Sequence, residues 1–86
     1  MNKIIMFTQP TCVPCKQLKP HLYAVSSKFS LEVEEIDISV YTEYIYDFQI
    51  RSTPTVIVFD ENGQELTRLK ERTTLKLIEE LATFRQ

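Results

Sequence analysis

Thr11-Cys12-Val13-Pro14-Cys15-Lys16 is the stretch that orders the rest of the chain. Just before it, Lys3 to Thr8 is a compact apolar run of buried-strand length, stopped by Gln9-Pro10-Thr11. Just after it, Leu18, Leu22, Val25 and Phe29 recur at i, i+4, i+7 and i+11, one face of a helix. The two cysteines therefore sit where a strand ends and a helix begins. Thr11 is the expected N-cap, and Pro14 fits a first turn, where no intrahelical donor is needed. Pro20 falls inside the helix and is expected to kink it.

Beyond this helix, Leu31 to Ile38 alternates apolar and acidic residues, which predicts a second strand ending near Asp37. Tyr41, Ile45 and Phe48 share a helical face, so a short second helix with these as its core side is expected. Tyr44 and Tyr46 fall off that face. Arg51-Ser52-Thr53-Pro54 ends it. Thr55 to Phe59 is β-branched and aromatic, a buried strand. Asp60-Glu61-Asn62-Gly63 predicts a hairpin turn, with Asn62 and Gly63 supplying positive φ. Glu65 to Leu69 is the returning strand, and Thr73 or Thr74 caps a last helix with Leu75, Ile78, Leu81 and Ala82 on its apolar face. The order β-α-β-α-β-β-α predicts an α/β domain, a four-stranded mixed sheet with helices on both faces. No linker or repeat divides residues 1–86, so one domain is expected.

The spacing Cys-x-x-Cys at a helix start favours redox chemistry. Helical geometry separates i and i+3 by about 4.5 Å along the axis, close enough for the sulfurs to bond. Unpaired N–H groups and the dipole at a helix start favour a thiolate, and Lys16 adds a positive charge. Cys12, at the helix tip, is then the exposed nucleophile and Cys15, one turn further in, the less exposed resolving thiol. A disulfide this short closes almost no loop, so its value is chemical and not structural. Other readings compete: two inert packing cysteines, a zinc site or an iron–sulfur cluster shared by two chains. Zinc needs four ligands, and the only histidine, His21, lies too far along the helix to complete a set. A shared cluster would draw four thiolates from a dimer.

Composition narrows the partners. A net charge of −2, with Lys and Arg scattered among acids, excludes a broad nucleic-acid surface. No apolar run approaches a membrane span, and Ile4 to Phe7 is too short for a signal core, so a cytoplasmic location is expected.

With the cysteines placed, the chain resembles the thioredoxin/glutaredoxin superfamily along nearly its whole length. Cys12-Val13-Pro14-Cys15-Lys16 is similar to the thioredoxin run Cys-Gly-Pro-Cys-Lys, and Pro20 falls where thioredoxins kink the active-site helix. Ile50-Arg51-Ser52-Thr53-Pro54-Thr55 is similar to the segment whose proline is cis and faces the disulfide. The resemblance implies the thioredoxin fold and a thiol–disulfide oxidoreductase, a dithiol electron carrier that cycles Cys12 and Cys15 and reduces protein disulfides. It assigns Val13, Pro14, Thr53 and Pro54 to substrate binding, the last two by pairing with an extended client segment. Clients with disulfides, and a reductase or glutathione as electron donor, are the implied partners of a monomer. No cofactor or metal beyond the redox-active disulfide is expected.

The departures are specific. Thr11 stands where thioredoxins have a tryptophan, and the chain has no Trp. Met6 stands where they bury an aspartate that helps deprotonate the resolving cysteine, and Glu35 near the lysine that pairs with it. Glu35 is the candidate replacement acceptor, or else a plain solvent-facing residue. Lys70-Glu71-Arg72-Thr73-Thr74 stands where glutaredoxins carry the Gly-Gly pair that helps hold glutathione. A glutathione-dependent glutaredoxin, a non-catalytic binding subunit and a dimeric iron–sulfur carrier are the alternative functions.

Overall fold

The computed structural model describes residues 3–69. Its elements are β1 (Lys3–Thr8), α1 (Val13–Phe29), β2 (Glu32–Asp37), α2 (Glu43–Asp47), β3 (Thr55–Phe59) and β4 (Glu65–Leu69). The expected last helix, with Leu75, Ile78, Leu81 and Ala82, lies outside the described residues, as does the side chain of Phe29. The sheet order is β2-β1-β3-β4, with β1 and β2 parallel and the other two pairings antiparallel.

Alternation along the strands divides the core in two. Ile4 and Met6 of β1 and Val56 and Val58 of β3 meet Leu18, Leu22 and Val25 of α1. Full burial of one such leucine contributes about 2 kcal/mol. Phe7, Ile57 and Phe59 point to the other face, with Ile36, Ile38 and Ile50, where Tyr44, Ile45 and Phe48 of the α2 region cover them. Phe48 is central there, its ring centroid 5.6 Å from Phe7, 5.7 Å from Tyr44 and 5.8 Å from Phe59. The expected sheet with a helix on each face is thus present.

Four local expectations change. The N-cap of α1 is Cys12, not Thr11, because the Cys12 sulfur accepts the N–H of Cys15. β2 ends at Asp37 as expected but begins at Glu32 and leaves Leu31 outside it. Tyr41 lies ahead of the five-residue α2 and is exposed, and Tyr44 packs on the core in its place. In the hairpin only Gly63 has positive φ, +80°. Asp60 fixes that turn: its Oδ1 accepts the N–H groups of Asn62 (2.8 Å) and Gln64 (2.9 Å), so Asn62 keeps ordinary φ. One extra residue then sits on β4, where Phe59 pairs with Glu65 but Val58 with Thr67.

Two non-glycine residues occupy the left-handed region, Ser30 (φ 55°) and Gln49 (φ 52°). Ser30 ends α1 by donating its N–H to the Ser26 carbonyl. Gln49 follows Phe48, the C-cap of α2, and there Arg68 reaches across from β4. Its guanidinium donates to the carbonyls of Phe48 and Gln49 while pairing with Glu65.

Candidate active site

Parallel pairing puts the ends of β1 and β2 at one edge of the sheet, and the N–H of Ile38 donates to the Thr8 carbonyl there (3.0 Å). β3 runs antiparallel to β1, with Thr55 opposite Phe7, so the segment before Thr55 arrives at the same edge. The chain leaves β1, turns at Gln9 through the Cys12 N–H to its carbonyl (3.1 Å), and enters α1. This topology gathers segments 9–16 and 51–54 at the carboxyl end of the parallel strands, where open α/β sheets place their ligands.

Cys12 and Cys15 are joined in a disulfide with Cα atoms 5.3 Å apart. Cys12 Sγ accepts the Cys15 N–H at 3.1 Å, and the Cys12 carbonyl accepts the N–H of Lys16 at 3.4 Å. One of the orphan donors of the helix start is therefore aimed at the Cys12 sulfur. The exposed Cys12 expected at the helix tip is not seen: Cys12 is 8% exposed and Cys15 2%, so Cys12 is the more open of two enclosed sulfurs, in the expected order. Thr11, Val13, Pro14 and Lys16 are exposed around them. Thr53 and Pro54 are half-buried and joined by a cis peptide bond. The Thr55 hydroxyl, buried, donates to the Ser52 carbonyl at 2.6 Å and pins the end of this segment.

Glu35 lies opposite Met6 in the β1–β2 register. Its Oε2 accepts from the Tyr23 hydroxyl (2.8 Å) and pairs with Lys19 Nζ (3.3 Å). Lys19 and Tyr23 are i and i+4 on α1 and stand on either side of Pro20, so one carboxylate on β2 grips the helix across its proline. Tyr23 holds its proton above the usual phenol range, chiefly through the hydrogen bond to Glu35, then through burial and the neighbouring carboxylate charge. The i,i+4 spacing of Lys19 and Tyr23 was the sequence signal for this junction; that Glu35 would meet it depended on strand register. Among the described residues the only buried polar side chains are Ser26 and Thr55, so no carboxylate is buried, and Met6 is packed at 1% exposure. No three His, Cys, Asp or Glu side chains gather as a metal site among these residues.

A family model described as Thioredoxin matches residues 1–83. The chain belongs to the thioredoxin family. It is similar to thioredoxin H8 of Arabidopsis thaliana, 34% identical over 64 residues, or 73% of this chain and 43% of that one. It is 30% identical over 84 residues to a thioredoxin-like protein of Synechocystis, covering 94% of this chain and 79% of the other. The solution structure of oxidised thioredoxin from Plasmodium falciparum superposes with a TM-score of 0.83 at 28% identity, over 94% of this chain and 81% of that one. The chain spans about half the length of the plant relatives it matches, 48% and 43%. Thr11 stands ahead of the disulfide, Met6 packs beneath α1 and Glu35 lies on β2. The Lys70–Thr74 stretch lies outside the described residues.

Proposed function

We propose that this thioredoxin-family protein is a thiol–disulfide oxidoreductase that reduces disulfides of client proteins. The observation that carries the reading is the Cys12–Cys15 disulfide at the start of α1, with the Cys15 N–H on the Cys12 sulfur. In the reduced protein that N–H and the helix dipole stabilise a Cys12 thiolate, and Lys16 adds a nearby cation. The thiolate attacks a client disulfide, forms a bond from Cys12 Sγ to one client sulfur and releases the other as a thiolate. Cys15, losing its proton, attacks Cys12 Sγ. The Cys12–Cys15 bond forms and the second client sulfur leaves. Two electrons and two protons pass to the client, whose disulfide becomes two thiols.

Val13 and Pro14 beside the attacking sulfur, and Thr53 and Pro54 at the same sheet edge, hold the client segment in this reading. Backbone groups next to Pro54 would pair with an extended client strand. A thiol donor, a reductase or glutathione, returns the disulfide to the dithiol. Glu35 acts as the grip between β2 and α1, since its acceptor oxygen is already engaged by Tyr23 and Lys19. The Cys15 proton leaves to water or to the departing client thiolate. The test is reduction of insulin disulfides by dithiothreitol with wild type and Cys12→Ala in parallel. Catalysis that disappears in the variant supports the reading; equal rates overturn it.

A further inference from the structure

Five large apolar side chains are exposed among the described residues, and three of them belong to segments at the disulfide edge of the sheet: Val13 (60%), Val40 (66%) and Tyr41 (53%). Val13 lies between the cysteines. Val40 and Tyr41 lie on the connection between β2 and α2, which leaves the sheet where the Ile38 N–H donates to the Thr8 carbonyl, at the end of β1 from which the chain turns into the disulfide segment. We propose that Val40 and Tyr41 are specificity residues that read the client polypeptide next to its cystine, favouring disulfides flanked by apolar or aromatic side chains. The inference rests on the oxidoreductase reading and names its substrate class.

The connection is built to hold this backbone, and the Tyr41 ring, in place. Asp37 Oδ1 accepts from the Ser39 N–H (2.8 Å) and hydroxyl (2.6 Å), while the Asp37 carbonyl accepts the N–H groups of Val40 (3.1 Å) and Tyr41 (3.0 Å). The Tyr41 ring meets Tyr44 edge-on at 6.4 Å, and Tyr44 is stacked on Phe48 in the core. A side chain fixed before binding loses little freedom on contact. Residues 38–42, Ile-Ser-Val-Tyr-Thr, carry no charge between Asp37 and Glu43, so the surface matches an apolar segment and offers a phosphate backbone no cation. Tyrosine with aliphatic neighbours is the composition of an interface centre. The occupant is a client because the reaction itself delivers one: a polypeptide whose sulfur is bonded to Cys12 lies at this sheet edge.

The experiment compares two peptide disulfides that differ only beside the cystine, with phenylalanine and leucine in one and serine in the other. Dithiothreitol is the donor. Wild type is expected to prefer the apolar peptide, and Tyr41→Ser to lower that preference about tenfold through KM with kcat held. Tyr41→Phe keeps the preference, which assigns it to the ring and not the hydroxyl, and Val40→Ser gives a second, smaller reduction; a change confined to KM and absent for the serine peptide separates client reading from a structural loss. An unchanged preference in Tyr41→Ser and Val40→Ser overturns the inference while leaving the oxidoreductase reading in place. Failure of wild type on both peptides and on a small aromatic disulfide overturns the oxidoreductase reading itself. A Tyr41-dependent dimer in sedimentation gives the surface to a second copy and also overturns the inference.

Discussion

The backbone N–H of Cys15 donates to the sulfur of Cys12 at 3.1 Å, so one half of the disulfide caps the helix turn that carries the other. In the reduced protein the same donor favours negative charge on Cys12. Alkylation by iodoacetamide across pH, followed by mass spectrometry, is expected to place the Cys12 midpoint below the ordinary thiol value of about 8.5, with Cys15 ionising later. Cys15→Ser should trap the client as a stable mixed disulfide on Cys12, visible on a non-reducing gel. Cys12→Ser should trap none.

The junction of Glu35 with Tyr23 has a spectroscopic signature. The folded Tyr23 phenol binds its proton more tightly than the unfolded one, whose ordinary value is 10.0. Its stabilising contribution is therefore whole below that value and is lost as pH rises through the folded pKa. Glu35→Gln should lower the Tyr23 midpoint in an absorbance titration. Tyr23→Phe should flatten the alkaline loss of stability, measured by denaturant unfolding on either side of pH 10.

No carboxylate is buried among the described residues, and Met6 fills the site under α1. Release of the mixed disulfide should then follow the ionisation of the Cys15 thiol, rising through the alkaline range with no plateau set by a carboxylate. Glu35→Gln should leave that rate unchanged in stopped-flow measurements. A several-fold slowing would make Glu35 the proton acceptor after all. Met6→Asp should cost several kcal/mol, because its carboxyl would sit among Leu18, Leu22 and Val56 without a partner.

Three substitutions test the packing and the positive-φ positions. Leu22→Ala removes a fully buried side chain from the α1 face and should cost about 2–5 kcal/mol in urea unfolding. Gly63→Ala meets no neighbouring atom within 4 Å, so its cost is purely that of φ +80° for a residue with a Cβ, about 1–2 kcal/mol. Gln49→Gly removes the same strain from a non-glycine position and should stabilise by about 1 kcal/mol.

The fold was legible where periodicity is unambiguous. Lys3–Thr8, Thr55–Phe59 and Glu65–Leu69 carry the expected bounds because apolar runs and turn residues delimit them sharply. The redox site was legible because its spacing and its place at a helix start are both local. Misplacements came where a side chain took over a backbone role. A cysteine sulfur replaced the Thr11 hydroxyl as cap, and the Asp60 carboxylate spared Asn62 a left-handed φ. Helical spacing puts Tyr41 on the core face, but that spacing extends beyond the helix that forms; with α2 only five residues long, Tyr44 does that packing. The partners of Glu35 were hidden because they depend on the register between β2 and α1, which no single segment encodes.

Arg68 gives the segment before Pro54 a second anchor. Its guanidinium holds the carbonyls of Phe48 and Gln49, and the Thr55 hydroxyl holds Ser52 at the entry to β3. Residues 50–54 are therefore a short span between two piers: Thr55 at one end, and at the other Arg68 of the far edge strand together with the Ile50 N–H to Ile45 carbonyl bond (2.9 Å). Slackening that pier, as in Arg68→Ala, should let the amides of the span exchange hydrogen with solvent faster and should shift the client-binding end of the molecule without touching it. In the oxidoreductase proposed above, drift at a distant edge position would retune which disulfides are handled while every residue at the sulfur atoms stays the same.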